Sequence, residues 1–480
     1  ASGQKYNVYS SVGYLNEKGY VKATGYERFS GRINTTYTPN KWFKGGVNLT
    51  GSWTKRNYNS NASGNAYANP FYIARYMAPV YPVYLHNADG TYQLDAAGDK
   101  IYDTTSPYLS NRHIAYEMLF NKQESVRNVL GGQAFATISL PYGVSLTVKG
   151  DLNNSTSNNK KYDNPEIGDG ATNGGRLTSY AYQYRTTTLQ EIVNWSYQFN
   201  NVHNVEVMAA HESYSWERKY TAGMNTGMAV DGNLTMGNFL NNSYFTGSDD
   251  EDKTESYLAR LKYNYDDRYF LEGSFRRDGS SRFSKDKRYG TFPSASFAWR
   301  IINEPFFPKG TPLNDLKLRA SWGKTGSMDG ISNWAAMSLV TSGGNSYNGS
   351  SGFKIGADAA DLIWEKANQV NVGINAELFN GRLALSVDGY YQKTSGLLYN
   401  ISTLATTGYT TRTANIGSLE NKGLEVMVSG KIFDGPFKWE LATNLSYTKN
   451  KLLSLDGVLD MKINGCLLYT SPSPRDRQKS

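Results

Sequence analysis

The stretch FKWELATNLSY, Phe437 to Tyr447, alternates along its length. Phe437, Trp439, Leu441, Leu445 and Tyr447 fall on one side of an extended chain. Lys438, Glu440, Ala442, Asn444 and Ser446 fall on the other. Successive side chains of a strand point to opposite faces, so this segment is apolar on one face and polar or small on the other. A strand of about ten residues with that pattern suits one that crosses lipid, whereas strands of water-soluble sandwiches run nearer five or six. The alternation predicts that Trp439 and Leu441 face lipid and that Lys438, Glu440 and Asn444 face a lumen. It recurs in Val144, Leu146 and Val148 against Ser145, Thr147 and Lys149. It recurs again in Leu316, Leu318, Ala320 and Trp322 against Lys317, Arg319 and Ser321, and in Leu383, Leu385 and Val387 against Ala384, Ser386 and Asp388.

The connections alternate in length. Short turns are predicted at Pro39–Lys41, Pro141–Gly143, Asn200–Val202, Asp266–Arg268, Asn380–Arg382 and Asp434–Pro436, with a longer one at Asn303–Asn314. Long polar loops are predicted at Asn16–Gly25, Arg56–Glu124, Asn154–Arg176, Tyr220–Asp252, Gly279–Tyr289, Gly326–Glu365 and Gly396–Ser418. Short turns on one side and long loops on the other are the arrangement of outer-membrane barrels. About fifteen antiparallel strands follow, the first near residues 4–15 and the last near 437–451. The fold class read from this is all-β: an antiparallel transmembrane β-barrel. An odd, open set of strands leaves two edges, so a barrel wall cut at both ends is expected. Trp42, Phe43, Tyr142, Tyr265, Tyr269, Phe437 and Trp439 sit beside short turns, where an interfacial aromatic girdle belongs. One helix is predicted, Ala66–Met77, ended by Pro79.

Composition excludes other classes. The net charge of +8 on 480 residues, with no compact basic block, argues against a nucleic-acid partner. A mean hydropathy of −0.56 argues against a helical membrane protein. With 37 Tyr, 19 Phe and 9 Trp the chain is too aromatic for disorder. The one cysteine, Cys466, offers no disulfide. His86, His113, His203 and His211 lack zinc spacing, the acidic run Asp249–Asp252 lacks the pattern of a calcium loop, and no nucleophile elbow occurs. No catalytic residue, metal ligand or cofactor site is expected.

Several stretches resemble the SusC/RagA family of TonB-dependent outer-membrane transporters. They are FRRDGSSRFSKDKRYGTFPSASFAWRI (Phe275–Ile301), NDLKLRASWGKTGS (Asn314–Ser327), WEKANQVNVGINAELFNGRLALSVDGYYQKTSGLL (Trp364–Leu398) and NIGSLENKGLEVMVSG (Asn415–Gly430). GYVKATGYERFSGRINTTYTPNKWFKGGVNLTGS (Gly19–Ser52) has the form of an early hairpin of that family. The resemblance implies a barrel of about 22 strands, of which residues 1–464 would supply about 15, and a plug domain that this chain lacks. It also implies import of oligosaccharides or peptides across the outer membrane of a Gram-negative bacterium. Drive would come from a TonB–ExbB–ExbD complex through the missing N-terminal part, and a SusD-like surface lipoprotein would be the partner. The fragment alone is expected to transport nothing. A siderophore or vitamin receptor is the alternative, and a secreted β-propeller glycan hydrolase a more distant one.

Two groups are candidate site residues. Tyr67, Phe71, Tyr72, Tyr76, Tyr81 and Tyr84, in YANPFYIARYMAPVYPVY, are unusually aromatic for an external loop. They suit stacking on sugar faces, docking of a capping partner, or a small core that holds the loop together. Arg276, Arg277, Asp278 and Arg282 form the densest charge motif. A salt-bridged rim where a strand leaves the membrane is the favoured reading there, ahead of a substrate-facing or plug-facing cluster. The last segment is expected to have a different origin. CLLYTSPSPRD, Cys466–Asp476, has a back-translation that resembles a transposase adapter used in sequencing libraries, read through in frame. Residues 465–480 are therefore expected to be adapter read-through that packs against nothing.

Overall fold

The computed structural model describes residues 3, 5–58, 69–78, 80–105, 112–308, 310–347, 350–356, 361–403, 406, 409, 411–454, 461–463 and 466–469. Fifteen strands form one sheet whose order follows the sequence. They are β1 (Tyr6–Lys18), β2 (Gly25–Tyr37), β3 (Phe43–Asn57), β4 (Lys122–Ser139), β5 (Val144–Asp163), β6 (Arg176–Phe199), β7 (His203–Met228) and β8 (Phe239–Tyr265). β9 (Tyr269–Ser280), β10 (Tyr289–Arg300) and β11 (Leu313–Ser327) follow. A separate hairpin, β12 (Val340–Tyr347) with β13 (Ser350–Ile355), intervenes before β14 (Glu365–Leu378), β15 (Leu383–Ser402), β16 (Thr411–Asp434) and β17 (Lys438–Ser454). β1 and β17 are the ends of the sheet order. One long meander leaves no place for the repeated four-stranded blades of a propeller.

Turn chemistry explains the hairpins. Asn200–Asn201, Asp266–Asp267 and Phe379–Asn380 each hold two successive residues at φ between 48° and 60°. Two left-handed residues in a row make the turn whose twist matches that of the flanking strands, and Asn and Asp tolerate it best. Phe379 departs from this preference, and the Asn314 side chain, accepting from Asn380 N at 2.5 Å, braces the turn.

Several expectations need correction. β5, β7 and β8 run on through parts of the predicted loops Asn154–Arg176 and Tyr220–Asp252, so the acidic run Asp249–Asp252 lies in β8. The predicted helix is α1 (Pro70–Tyr76), capped by Asn69 and stopped before Pro79, and a second, α2 (Ile114–Phe120), was not foreseen. Cys466–Tyr469 does not stand alone. It pairs with Met461–Ile463 in a small hairpin, β18 (Met461–Ile463) with β19 (Cys466–Tyr469), outside the large sheet. Extended chain with an apolar stretch such as Leu467–Leu468 takes a strand partner whatever its origin.

Two compact units divide the chain. One holds residues 1–136, 149–188 and 215–251; the other holds 137–148, 189–214 and 252–480. In the first, Tyr162, Leu177 and Phe239 form a small core with Met228, Leu234 and Met236 packed on it. In the second, Phe283, Phe292, Ile331, Leu362 and Trp364 do the same. Both cores lie at the long connections.

The sheet of the second unit is two-sided. Leu445, Val426, Val387, Ile374, Leu318, Trp299, Tyr269 and Tyr265 are register partners in one row across eight strands. The adjacent row is Ser446, Glu425, Asp388, Gly373, Arg319, Ala298, Phe270 and Asn264. The row after that returns to Tyr447, Leu424, Val372, Phe297, Leu271 and Tyr263. Because the side-chain period is two, one face collects the apolar rows and the other the polar rows. Aromatic rings gather where the apolar face meets the short turns: Tyr265 and Tyr269 stack at 6.2 Å, Tyr269 and Trp299 at 6.3 Å, and Phe433 and Trp439 at 6.0 Å.

Candidate functional site

The polar face of the second unit carries a cavity of 880 Å³. Its charged lining is Glu206, Lys262, Glu272, Arg319 and Asp388, from β7, β8, β9, β11 and β15. Arg319 organises one side. Its Nη2 donates to Asp388 Oδ1 at 2.8 Å and to Asn375 Oδ1 at 2.9 Å. Those partners lie on β15 and β14, so the guanidinium reaches across a whole strand. It can do so because Gly373 lies between them: a Cβ there would sit 2.1 Å from Asp388 Oδ1 and 3.0 Å from Arg319 Nη2. Arg319 Nε is buried without a hydrogen-bond partner. The result is a mixed-charge, hydrogen-bonding wall of the kind that contacts polar cargo or a polar domain. Sequence reading had assigned Arg319 and Asp388 to polar faces. It missed their meeting, because that depends on the register of three strands.

The charge motif divides by the same period of two. Arg276 and Asp278 point to the polar face. Arg276 Nε donates to Asp278 Oδ2 at 2.8 Å, and its Nη2 reaches Ser256 Oγ at 3.0 Å and Glu212 Oε1 at 3.6 Å. Asp278 and Ser256 are buried. Arg282, in the turn after β9, donates from Nη2 to buried Asp252 Oδ2 at 2.8 Å and from Nη1 to the Ile331 carbonyl at 3.4 Å. Arg277 lies on the opposite face, 4.9 Å above the Tyr289 ring. There Glu255 accepts from Tyr289 at 2.6 Å and from Tyr257 at 3.0 Å. His211 contacts Glu255 at 3.4 Å and Glu191 at 2.8 Å.

The aromatic loop lies in the first unit, where Tyr67 falls outside the described residues. Phe71, at the start of α1, is half exposed and sits 6.0 Å from Tyr20. With Tyr20, Tyr26 and Tyr58 it lines a 310 Å³ cleft that also holds Lys18 and Arg56. Tyr72 and Tyr81 are half-buried, and Tyr76 is the last residue of α1. Tyr84 belongs to a different group. Its ring is 4.9 Å from Tyr102, which meets Tyr116 at 5.1 Å, and Tyr116 stacks on Phe120 at 4.2 Å. Lys100 caps Tyr92 at 3.7 Å. The loop's rings thus serve two ends, an open cleft around Phe71 and a closed aromatic cluster around Tyr102.

α2 ties that cluster down. Arg112 pairs with Asp169 and, at 3.4 Å, with Glu117 Oε2. Glu117 is buried, and burial pushes its carboxyl above the usual range despite Arg112. His113 caps α2, its Nδ1 accepting from Tyr116 N at 3.4 Å. Burial holds its imidazole below the usual range.

Three comparisons bear on this surface. Residues 80–464 match the family described as TonB dependent receptor-like, beta-barrel. The TonB-dependent receptor P39 of Formosa agariphila is 32% identical over 98% of this chain and 44% of its own length. The TonB-dependent receptor SusC of Bacteroides thetaiotaomicron is 38% identical over 212 residues, 42% of this chain and 21% of its own. Among solved structures, the RagAB peptide transporter superposes with a TM-score of 0.83 at 24% identity, over 97% of this chain and 52% of that one, a likeness of fold. The chain spans less than half the length of the full-length curated relatives it matches.

Proposed function

The chain belongs to the family of TonB-dependent receptor β-barrels, and from that membership we propose that it forms wall of a SusC-like importer in the outer membrane of a Gram-negative bacterium. The cargo is an oligosaccharide or a peptide. A TonB–ExbB–ExbD complex supplies the drive, and a SusD-like lipoprotein meets the extracellular end. The observation that carries this reading is the separation of faces across β8–β11 and β14–β17, with apolar rows on one side, as lipid requires, and a polar, ion-paired wall on the other, as a pathway requires. The resemblance to SusC over 212 residues favours this cargo class over an iron chelate.

The wall acts by presentation, without bond chemistry. Arg319 and Asp388, already satisfied in part by each other, and Glu272 and Lys262 beside them offer donors and acceptors to polar material. The Phe71 cleft offers flat rings at the long-loop side, where stacking on a sugar or a peptide ring is worth about 1 kcal/mol per face.

The test uses the full-length gene in its host. Disrupting it should abolish uptake of fluorescently labelled oligosaccharides or peptides of one class, and wild-type uptake should collapse on adding a protonophore. Uptake of every labelled class that survives both treatments would overturn the proposal.

A further inference from the structure

β11 and β14–β17 carry lysines on their apolar face, all at one height. Lys324 is eleven residues up from Leu313, the short-turn end of β11. Lys366 is twelve from Leu378, and Lys393 ten from Leu383. Lys422 is twelve from Asp434, and Lys449 and Lys451 are eleven and thirteen from Lys438. The register places them on the same face as Val372, Val387 and Leu445: Lys324 opposes Asn368, Asn368 opposes Lys393, Lys393 opposes Glu420, and Glu420 opposes Lys451. At about 3.3 Å per residue and a tilt near 40°, ten residues climb roughly 25 Å, the height of an apolar band. The lysines therefore ring the upper edge of that band, directly above Trp322, Tyr391 and Tyr447.

Charge here is one-sided. Glu420 is the one acid on this face of these five strands, and it is held by Tyr391 at 3.2 Å and Lys422 at 3.9 Å. Lys366, Lys393, Lys449 and Lys451 are exposed and form no ion pair among the described residues. Lys324 rests 5.9 Å from the Trp322 ring. The short-turn end of the same face shows Trp439 and Phe433 without a lysine in these strands. On β7–β10 the corresponding height is balanced, Glu255 meeting His211 and sharing the Tyr289 ring with Arg277.

Resting on the outer-membrane reading above, we propose that this lysine belt binds phosphate groups of the lipid in the extracellular leaflet. Aromatic rings at the edge of the hydrocarbon with ammonium groups just beyond match a headgroup layer in which phosphate lies above acyl chains. Six flexible cations at one height, of which Lys422 alone meets a carboxylate among the described residues, suit many phosphates sharing one surface better than a single rigid ligand.

The test is retention of diphosphorylated lipid A by the full-length protein in detergent, measured by native mass spectrometry against the dephosphorylated form. The variant carries K324Q, K366Q, K393Q and K422Q. A control removes four charges elsewhere, K149Q, K160Q, K431Q and K438Q. Each lysine near an anionic surface is worth roughly fivefold in affinity at low salt. The variant should lose at least about tenfold in retention, the control less than about twofold, and the four Lys→Arg changes should retain the lipid. Equal retention by variant and wild type, or wild-type indifference to the phosphates, overturns the belt. Failure of wild type to insert into a bilayer would instead strike the outer-membrane reading. Heat-modifiable migration of each variant on gels confirms that it is folded.

Discussion

Gly373 shows how much one missing methyl group decides. Arg319 and Asp388 meet over it, on strands to either side. Gly373→Ala pushes a Cβ against Asp388 and parts the ion pair, which is about one-third exposed. The expected loss is about 1–2 kcal/mol, since screening trims the interaction. Gly389→Ala is the comparison, because its Cβ would meet nothing nearer than 4.0 Å. Urea unfolding of the full-length protein from lipid should separate the two, and equal losses would contradict the close-approach role. His113 sets a second expectation. Its depressed pKa means that the unfolded imidazole takes up a proton before the folded one. The stabilisation is thus complete above the unfolded value, near 6.5, and is lost as pH falls below it. Protonation also removes the Nδ1 lone pair that caps α2. Glu117, its pKa raised by burial, works with the opposite sign, gaining as pH falls toward 4.5, so the His113 effect between about 7 and 5.5 is read in a Glu117→Gln background. The protection of amides across Ile114–Phe120, taken relative to the intrinsic exchange rate at each pH, should fall about fivefold over that range. His113→Asn, which caps at any pH, should flatten the change; an unaltered pH dependence in that variant would refute the capping account.

At the scale of strands, each of the fifteen was legible where one face met an apolar environment. Leu383, Leu385 and Val387 against Ala384, Ser386 and Asp388 give the period directly, and β15 begins at Leu383. The reading failed where neither face is continuously apolar. FLNNSYFTGSDDED, Phe239–Asp252, is strand without an apolar side, so no alternation marks it. The short α2 escaped because its cap is a histidine, outside the usual Ser, Thr, Asp and Asn set. The candidate sites divide the same way. Which face Arg276 and Arg277 occupy follows from parity. That Arg276 meets Glu212 on β7, or Arg319 meets Asp388, follows only from registers set by distant turns. The face assignment predicts opposite outcomes for neighbouring residues of β14. Val372→Arg places a cation in mid-band and should cost about 2–4 kcal/mol in folding into a bilayer. Asn371→Arg, facing the cavity, should cost less than about 1 kcal/mol. Matching costs at the two positions would mean that the faces are misassigned.

For the whole molecule, face separation, turn asymmetry and family membership all support the proposal that β8–β11 and β14–β17 are a wall with lipid on one side and a polar pathway on the other. Nitroxide scanning of β14 in the full-length protein, reconstituted in a bilayer, addresses this directly. Labels are placed one at a time from Lys366 to Leu378, and collision with oxygen, which concentrates in lipid, is compared with collision with a water-soluble nickel chelate. Oxygen access should peak at Val370, Val372 and Ile374, chelate access at Gln369, Asn371 and Asn375, with the two profiles out of phase at a period of two. Profiles that rise and fall together, or chelate access at Val372 equal to that at Asn371, would show that no lipid lies against this face and would contradict the account.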